Sequence, residues 1–325
     1  MTDVPGVRDR TVAPGPAAAV AVAPGPRRPA RAGRTNRTLA GWGFALPFAV
    51  LFLVFTAGPV VASLVMSVTD LRSADLLDPF GVNVVGLDNY VRLFGDEKFL
   101  TAAGNTAVFV VVGVPLTMAL SLLVALGLNS GLVRFRTLLR VGYYLPVVTS
   151  IVAISVVWRF VLQPDTGLLN EILGFFGIAG PNWLGNETFA LPTLIVMGAW
   201  RNLGFGMVIF LAGLQAIPKD LYEAATVDGA RRFARFRYLT LPLLRPTMLF
   251  VAVITTIGYV QFFEEPFVMT QGGPLDSTLS MAYATYNQFG FGNYGYASAM
   301  GYVLFVIVVL LSIVWFKLLR NNVDD

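Results

Sequence analysis

Long apolar runs separated by short polar connections set the pattern of this chain. Runs near residues 42–68, 102–128, 138–162, 191–216, 247–269 and 297–319 each meet the roughly 20 residues that an α-helix needs to cross a hydrocarbon core. The pattern predicts an all-α polytopic membrane protein with six transmembrane helices. Residues 1–38 depart from it: they are rich in Pro, Gly, Ala and Arg, and repeat Ala-Pro-Gly-Pro at 13–16 and 23–26. Such a segment holds little that can build a core, so a disordered tail is expected there, with 39–325 as the membrane domain. A cleaved signal peptide does not fit, because the first apolar run comes too late and continues too long.

One polar and basic island, Ile217–Pro246, lies between two of the long runs. Pro218 suits a helix start, Asp220 and Glu223 fall near the positively polarised end, and Gly229 can close the helix in a left-handed conformation. Leu221, Ala224, Ala225 and Asp228 share one side at spacings of three and four, and the alanines give a smooth face that another backbone can approach. A second helix is expected to carry Arg231 and Arg235 on one side and Phe233, Phe236 and Leu239 on another, until Leu241-Pro242 and Arg245-Pro246 break it. The unit reads as helix, turn, helix.

Composition narrows the function class. Of the 325 residues, 56% are hydrophobic and 13% charged, so the net charge of +4 sits beside apolar spans, where helix orientation accounts for it without nucleic acid. With no cysteine and no histidine, the chain has no disulfide, no thiolate or imidazole metal site and no His-dependent catalytic group. Orientation follows from Lys and Arg: the tail, the 129–137 connection, the 217–246 island and the C-terminus are basic, whereas the other connections hold only Arg72, Arg92, Lys98 and Arg159. Both termini and the island are therefore expected in the cytoplasm.

Two spans carry polar chemistry. Trp200-Arg201-Asn202 interrupts the fourth, about ten residues or about 15 Å from its end, a depth at which an arginine turns towards protein or a watery cavity. Arg201 is open to two readings, a structural partner for a carboxylate or part of a solute wall; a neutral solute needs no fixed cation, which favours the first. Gly198, Gly204, Gly206 and Gly213 on that span allow close helix packing. The fifth holds Tyr259, Gln261, Phe262, Phe263, Glu264, Glu265 and Pro266, then Thr270-Gln271-Gly272-Gly273-Pro274. Between spans three and four, Gln163–Gly167 reads as a turn leading into a short surface helix, and residues 277–296 form an aromatic-rich connection.

The run Glu223-Ala224-Ala225, then Asp228-Gly229-Ala230, Phe236 and Leu241-Pro242 resembles the coupling loop of binding-protein-dependent ABC importer permeases. Thr270-Gln271-Gly272-Gly273-Pro274 is similar to the run that carbohydrate permeases of the maltose type, the larger or first-type subunit, have at this distance. The resemblance implies a type I ABC importer permease fold and import of a sugar, a di- or oligosaccharide. It implies partners: a second permease, two cytoplasmic ATPase subunits, an extracytoplasmic sugar-binding protein and the lipid bilayer. It assigns ATPase coupling to Glu223, Ala224, Ala225, Asp228, Gly229, Leu241 and Pro242, and the solute pathway to Asn202, Phe205, Thr255, Gly258, Tyr259 and Phe262. Gly258, Tyr259 and Phe262 stand where the maltose permease has an aromatic and two amides, so a different sugar or pose is implied. Tyr259 is expected to offer its ring to the solute and to tolerate truncation without loss of assembly. No catalytic residue, metal or cofactor is implied on this chain; ATP and Mg belong to the ATPase partners.

Two other classes remain: a membrane-embedded enzyme, such as a lipid-modifying transferase using Glu264, Glu265 or Arg201, and a secondary transporter driven by an ion gradient. The first lacks a nucleophile or metal set near the recognisable motif. The second would show repeated halves or convincingly broken helices, and neither is visible in the sequence. The topology is directly testable: an alkaline phosphatase fusion after residue 232 should be inactive, and an active fusion would overturn both the orientation and the coupling assignment.

Overall fold

The computed structural model describes residues 32–77, 81–130 and 134–319, with the backbone alone for 32–41. Most of the expected tail, residues 1–31, lies outside the described residues, and from Ala32 the backbone is helical. By internal contacts the chain divides into residues 1–58 and 59–325. The first unit is helix α1 (Ala32–Phe52) followed by a π-helical turn at Leu53–Ala57, in which the Gly58 amide donates to the Leu53 carbonyl.

The second unit runs through α2 (Gly58–Ser67), α3 (Asp88–Gly95), α4 (Glu97–Asn129), α5 (Arg136–Val148), α6 (Ile151–Val161), α7 (Leu168–Phe175) and α8 (Glu187–Ala216). It continues with α9 (Lys219–Val227), α10 (Arg232–Arg235), α11 (Leu241–Leu243), α12 (Arg245–Val260), α13 (Glu264–Met269), α14 (Met281–Gly290) and α15 (Tyr294–Leu319). Among the described residues 4 helices are long and apolar enough to cross a membrane, and up to 6 if each bent pair counts as one span. The pairs are α5 with α6 and Arg232–Leu243 with α12, so the count agrees with the six runs read from the sequence, while the run expected over 247–269 is itself interrupted after Val260.

The third run, expected as one helix over 138–162, is α5 and α6 meeting at 100°. Pro146 sits in the last turn of α5 and Thr149 turns extended at ψ 144°, its hydroxyl donating to the Leu145 carbonyl at 2.8 Å. Pro146 has no amide to donate to the carbonyl four residues back, and the Thr149 hydroxyl takes up the Leu145 carbonyl where the chain leaves the helix, so the helix ends cheaply. The fifth run, expected over 247–269, stops at Val260 and restarts at Glu264 after Phe263 at φ −140°. Broken helices are thus present where none was visible in the sequence, because either half alone keeps the apolar composition of a span.

α8 is the central helix: 61% of its most apolar window is buried, against 6% for α15. Its glycines explain this. A Cβ on Gly206 would stand 2.5 Å from Ser121 Oγ on α4, and one on Gly204 would collide with the backbone carbonyl of Tyr143 on α5. At the α4–α8 contact Ser121 Oγ donates to the Leu203 carbonyl at 2.9 Å. α12 packs against α4 and α15, and Trp315 Nε1 donates to Thr256 Oγ1 at 2.8 Å. Small residues and short polar links replace the hydrophobic driving force that lipid does not supply between helices.

Helix starts are capped as the sequence allows: Asp96 accepts from the Lys98 and Phe99 amides at the head of α4, and Asn186 from Thr188 at the head of α8. Asn105 reaches from α4 to donate to the carbonyls of Asp276 and Leu279, holding the connection that carries Gly272-Gly273-Pro274. The expected helix after the Gln163–Gly167 turn is α7, tied down through Asn170, which accepts from Trp183 Nε1 at 2.7 Å.

The fold makes a paired prediction. Gly204→Ala puts a methyl group into a backbone carbonyl that cannot rotate away, and should cost about 1–3 kcal/mol of overpacking. Gly258→Ala meets nothing within 4 Å and should be neutral. Thermal unfolding of the detergent-solubilised complex checks the pair, and equal stability of the two variants would count against the α5–α8 contact.

Candidate functional site

The residues singled out from the sequence gather in two places. The first is α9, a helix with no buried residue, on which Glu223 and Ala224 are exposed and Ala225 is half-buried. Its end is a Schellman turn: the Gly229 amide donates to the Thr226 carbonyl at 3.0 Å and the Ala230 amide to the Ala225 carbonyl at 2.9 Å. Gly229 takes φ +74° with Asp228 before it, the left-handed cap that the sequence predicts. Pro218 lies one step earlier than expected, preceding the first helical residue Lys219. Val227, 88% exposed, leaves an apolar side chain in the open.

The expected second helix is a composite. After α10 the chain widens into a π-helical turn at Phe236–Thr240, in which the Leu241 amide donates to the Phe236 carbonyl, and then enters α11. The wider turn accommodates Pro242, whose ring would otherwise meet the carbonyl four residues back. Pro242 therefore does not break the helix, and the 66° bend falls at Leu244, before Arg245-Pro246. Leu241 and Pro242 thus sit at the root of the fifth span and not on the exposed helix. Two hydrogen bonds tie the parts together: Tyr222 to Thr240 between hydroxyls at 3.0 Å, and Arg235 donating to Thr226 Oγ1 at 2.7 Å. A hollow of about 440 Å³ lies beneath this joint, between Tyr222, Arg232 and Arg235 and the ends of α4 and α8. None of the residues read as a solute pathway lines it.

The second place is a cavity of about 280 Å³ between α8, α12 and α13. Asn202, Phe205, Thr255, Gly258, Tyr259 and Phe262 all line it, together with Ile254, Arg201, Glu264 and Glu265. α8 and α12 run antiparallel, so polar groups from the middle of each meet at one level. Asn202 donates to the Gly198 carbonyl of its own helix at 2.9 Å.

Tyr259 and Phe262 are more deeply built in than the sequence suggests. Tyr259 is 4% exposed, its hydroxyl lies 2.6 Å from Thr117 Oγ1 on α4, and its ring meets Phe109 edge-on at 5.0 Å. Phe262 is 3% exposed and stacks on Phe109 at 3.9 Å. These rings form the floor, while Asn202, Phe205, Thr255 and the open side of Gly258 face the space. Phe109 and Thr117 were missed by sequence reasoning. Thr117 is separated from Tyr259 by 142 positions, and the one available signal was a hydroxyl in an apolar run.

The comparisons with known proteins fall on this arrangement. The binding-protein-dependent transport system inner membrane component family matches residues 41–324. The chain belongs to that family. It is 41% identical to the probable ABC transporter permease protein YesP of Bacillus subtilis (strain 168), over 86% of this chain and 90% of the relative. It is 36% identical to the lactose transport system permease protein LacF of Rhizobium radiobacter, over 87% and 94%. In fold it resembles a chain of a bacterial ABC transporter involved in the import of the acidic polysaccharide alginate, with a TM-score of 0.76 and 24% identity, over 90% of this chain and 99% of that one. Family membership sets aside both the transferase and the gradient-driven transporter, and the chain is a transport subunit, not an enzyme.

The floor makes its own prediction and corrects one from sequence. Tyr259→Phe keeps the ring and loses the Thr117 hydrogen bond, at a cost of about 1 kcal/mol. Tyr259→Ala opens a cavity against Phe109 and should cost about 3–5 kcal/mol, so truncation is expected to weaken the fold as well as the solute contact. Thermal unfolding of the two variants separates these outcomes, and equal stability would show that the ring is not structural.

Proposed function

We propose that this chain is the permease subunit of an ATP-driven importer that moves a neutral-backboned di- or oligosaccharide across the membrane, taken from an extracytoplasmic binding protein. The reading pairs it with a second permease and two ATPase subunits. In this reading the chain binds no cofactor, and ATP and Mg stay on the ATPases. Both termini and α9 lie on the cytoplasmic side, as the Lys and Arg distribution supports.

The observation that carries the reading is a continuous mechanical path from an exposed helix to a cavity inside the spans. α9 offers Glu223, Ala224 and Asp228 as a small, smooth face for a cleft in an ATPase subunit. Tyr222 and Arg235 fasten α9 to the π-helical turn, which passes through Leu241 and Pro242 into α12. α12 carries Thr255, Gly258 and Tyr259 into the cavity wall, about 20 Å away at 1.5 Å per residue. A helix transmits displacement as a rigid rod, so movement of α9 on ATP binding shifts one wall of the cavity against α8. The cavity supplies what a sugar needs: an aromatic face at Phe205, an amide at Asn202 and a hydroxyl at Thr255.

The test is uncoupling. Glu223→Ala and Gly229→Val should each abolish import while the binding protein keeps its affinity for sugar. No neighbour lies within 4 Å of an added Cβ at Gly229, so Gly229→Val acts through its positive φ alone, about 1–2 kcal/mol of strain concentrated at the cap. Normal import by both variants in whole cells at equal expression would remove α9 from coupling.

A further inference from the structure

Among the described residues Arg201 forms no ion pair, so the carboxylate partner favoured for it from sequence is not made, and its guanidinium belongs to the solute cavity. Two other guanidiniums, those of Arg232 and Arg235, share the separate hollow of about 440 Å³ at the joint. A spacing of three sets both on one side of α10. Arg231, expected on that side, instead precedes the helix as an extended residue at ψ 160°. Arg235 spends one N–H on Thr226 Oγ1, and among the described residues the Arg232 side chain has no hydrogen bond or ion pair. The Asn129 side-chain amide, at the end of α4, lines the same space and is equally free.

The charge at this hollow is positive and depends on no titration, because arginine stays protonated in proteins. No carboxylate lines the space. The Ile217–Pro246 island around it carries six Lys and Arg residues against three acidic ones, Asp220, Glu223 and Asp228, none of which is in an ion pair. The ends of α4 and α8 contribute about half a negative charge each, less than the two guanidiniums, so a positive surplus remains. The hollow also lies where two spans leave the hydrocarbon core, and basic pockets between spans at that level suit anionic headgroups.

We propose that this hollow is a binding site for a phosphate group, whether carried by an anionic phospholipid or free in solution. A carboxylate has two oxygens and is matched by the fork of one arginine, whereas two guanidiniums with an amide beside them match the larger set of oxygens on a phosphate. Arg232 and Arg235 hold those oxygens from α10 and Asn129 from α4, while Leu126, Leu214 and Phe236 meet the apolar part of a lipid that carries the group. The occupant ties α10 to the ends of α4 and α8. Glu223 and Ala224 do not line the hollow, so the face that α9 offers to a partner is a different surface.

With no cysteine in the chain, Ser130→Cys places its one thiol at the hollow, and Thr137→Cys places one on the exposed start of α5 to report the field of the bilayer itself. The full chain, assembled with its partner subunits, is put in nanodiscs of phosphatidylcholine or of phosphatidylglycerol. The phosphatidylcholine sample is repeated with inorganic phosphate replacing chloride at equal ionic strength. Alkylation of this subunit by a neutral maleimide is followed by mass, and each Ser130→Cys rate is divided by the Thr137→Cys rate under the same conditions. Phosphatidylglycerol or inorganic phosphate should slow the thiol at the hollow by roughly tenfold relative to phosphatidylcholine with chloride, the protection given by a site filled about nine times in ten. Whichever of the two protects identifies the source of the phosphate. Arg232→Gln breaks no hydrogen bond of the fold and should remove most of the protection, and Arg232→Gln with Arg235→Gln should remove all of it. Equal rates in all three conditions, or protection that survives the double substitution, would overturn the proposal.

Discussion

A backbone that leaves the helix within an apolar span must find new partners for the amides and carbonyls it frees, because lipid offers none. Irregular backbone survives at such depth only where protein covers it or where it borders a polar cavity. The chain breaks its third span at Thr149–Ser150 and its fifth at Gln261–Phe263. α13 packs against α6, so the second half of one broken span covers the second half of the other. The break in the fifth span also borders the cavity, where Glu264 and Glu265 begin the new helix.

The centre that holds these breaks is closely packed. α4, α5, α8 and α12 approach closely through Gly113, Gly198, Gly204, Gly206 and Gly213, and the spaces a methyl group would need are taken by Tyr259, Phe109, Tyr143, Ser121 and Thr247. Close backbone approach gives dispersion contact and lets short hydroxyls bridge helices, as Ser121 and Thr117 do. The same packing fixes Tyr259 and Phe262 against Phe109, so one aromatic cluster is both core and cavity floor.

At the other end of α12 the chain passes through a π-helical turn. A π-helical turn holds a wider ring and weaker packing than an α-turn, and here it stands between an exposed helix and the root of a span. Tyr222 and Arg235 bridge it with hydrogen bonds at 3.0 and 2.7 Å, coupling α9 to the span without burying any residue of α9. The exposed face stays free for a partner.

The sequence by itself determined the number and approximate limits of the apolar spans and the helix ending at Gly229, while the grouping of Asn202, Phe205, Thr255, Gly258, Tyr259 and Phe262 came from the resemblance to maltose-type permeases. The first two are local matters: helix length follows from apolar run length, and a left-handed cap follows from glycine. Only the tertiary structure decided which rings face the cavity and which support it, because Phe109 and Thr117 reach Tyr259 from a distant helix. It also decided that Pro242 is absorbed by a π-turn, and that the spans near Pro146 and Phe263 break. A proline or an aromatic in an apolar run is compatible with either a continuous or a broken helix, and the choice falls to whichever neighbours can satisfy the freed backbone. The charges of Arg201 and Glu265 were legible as residues, but whether they would pair was not. Pairing depends on the angle between two helices, which no run of letters carries.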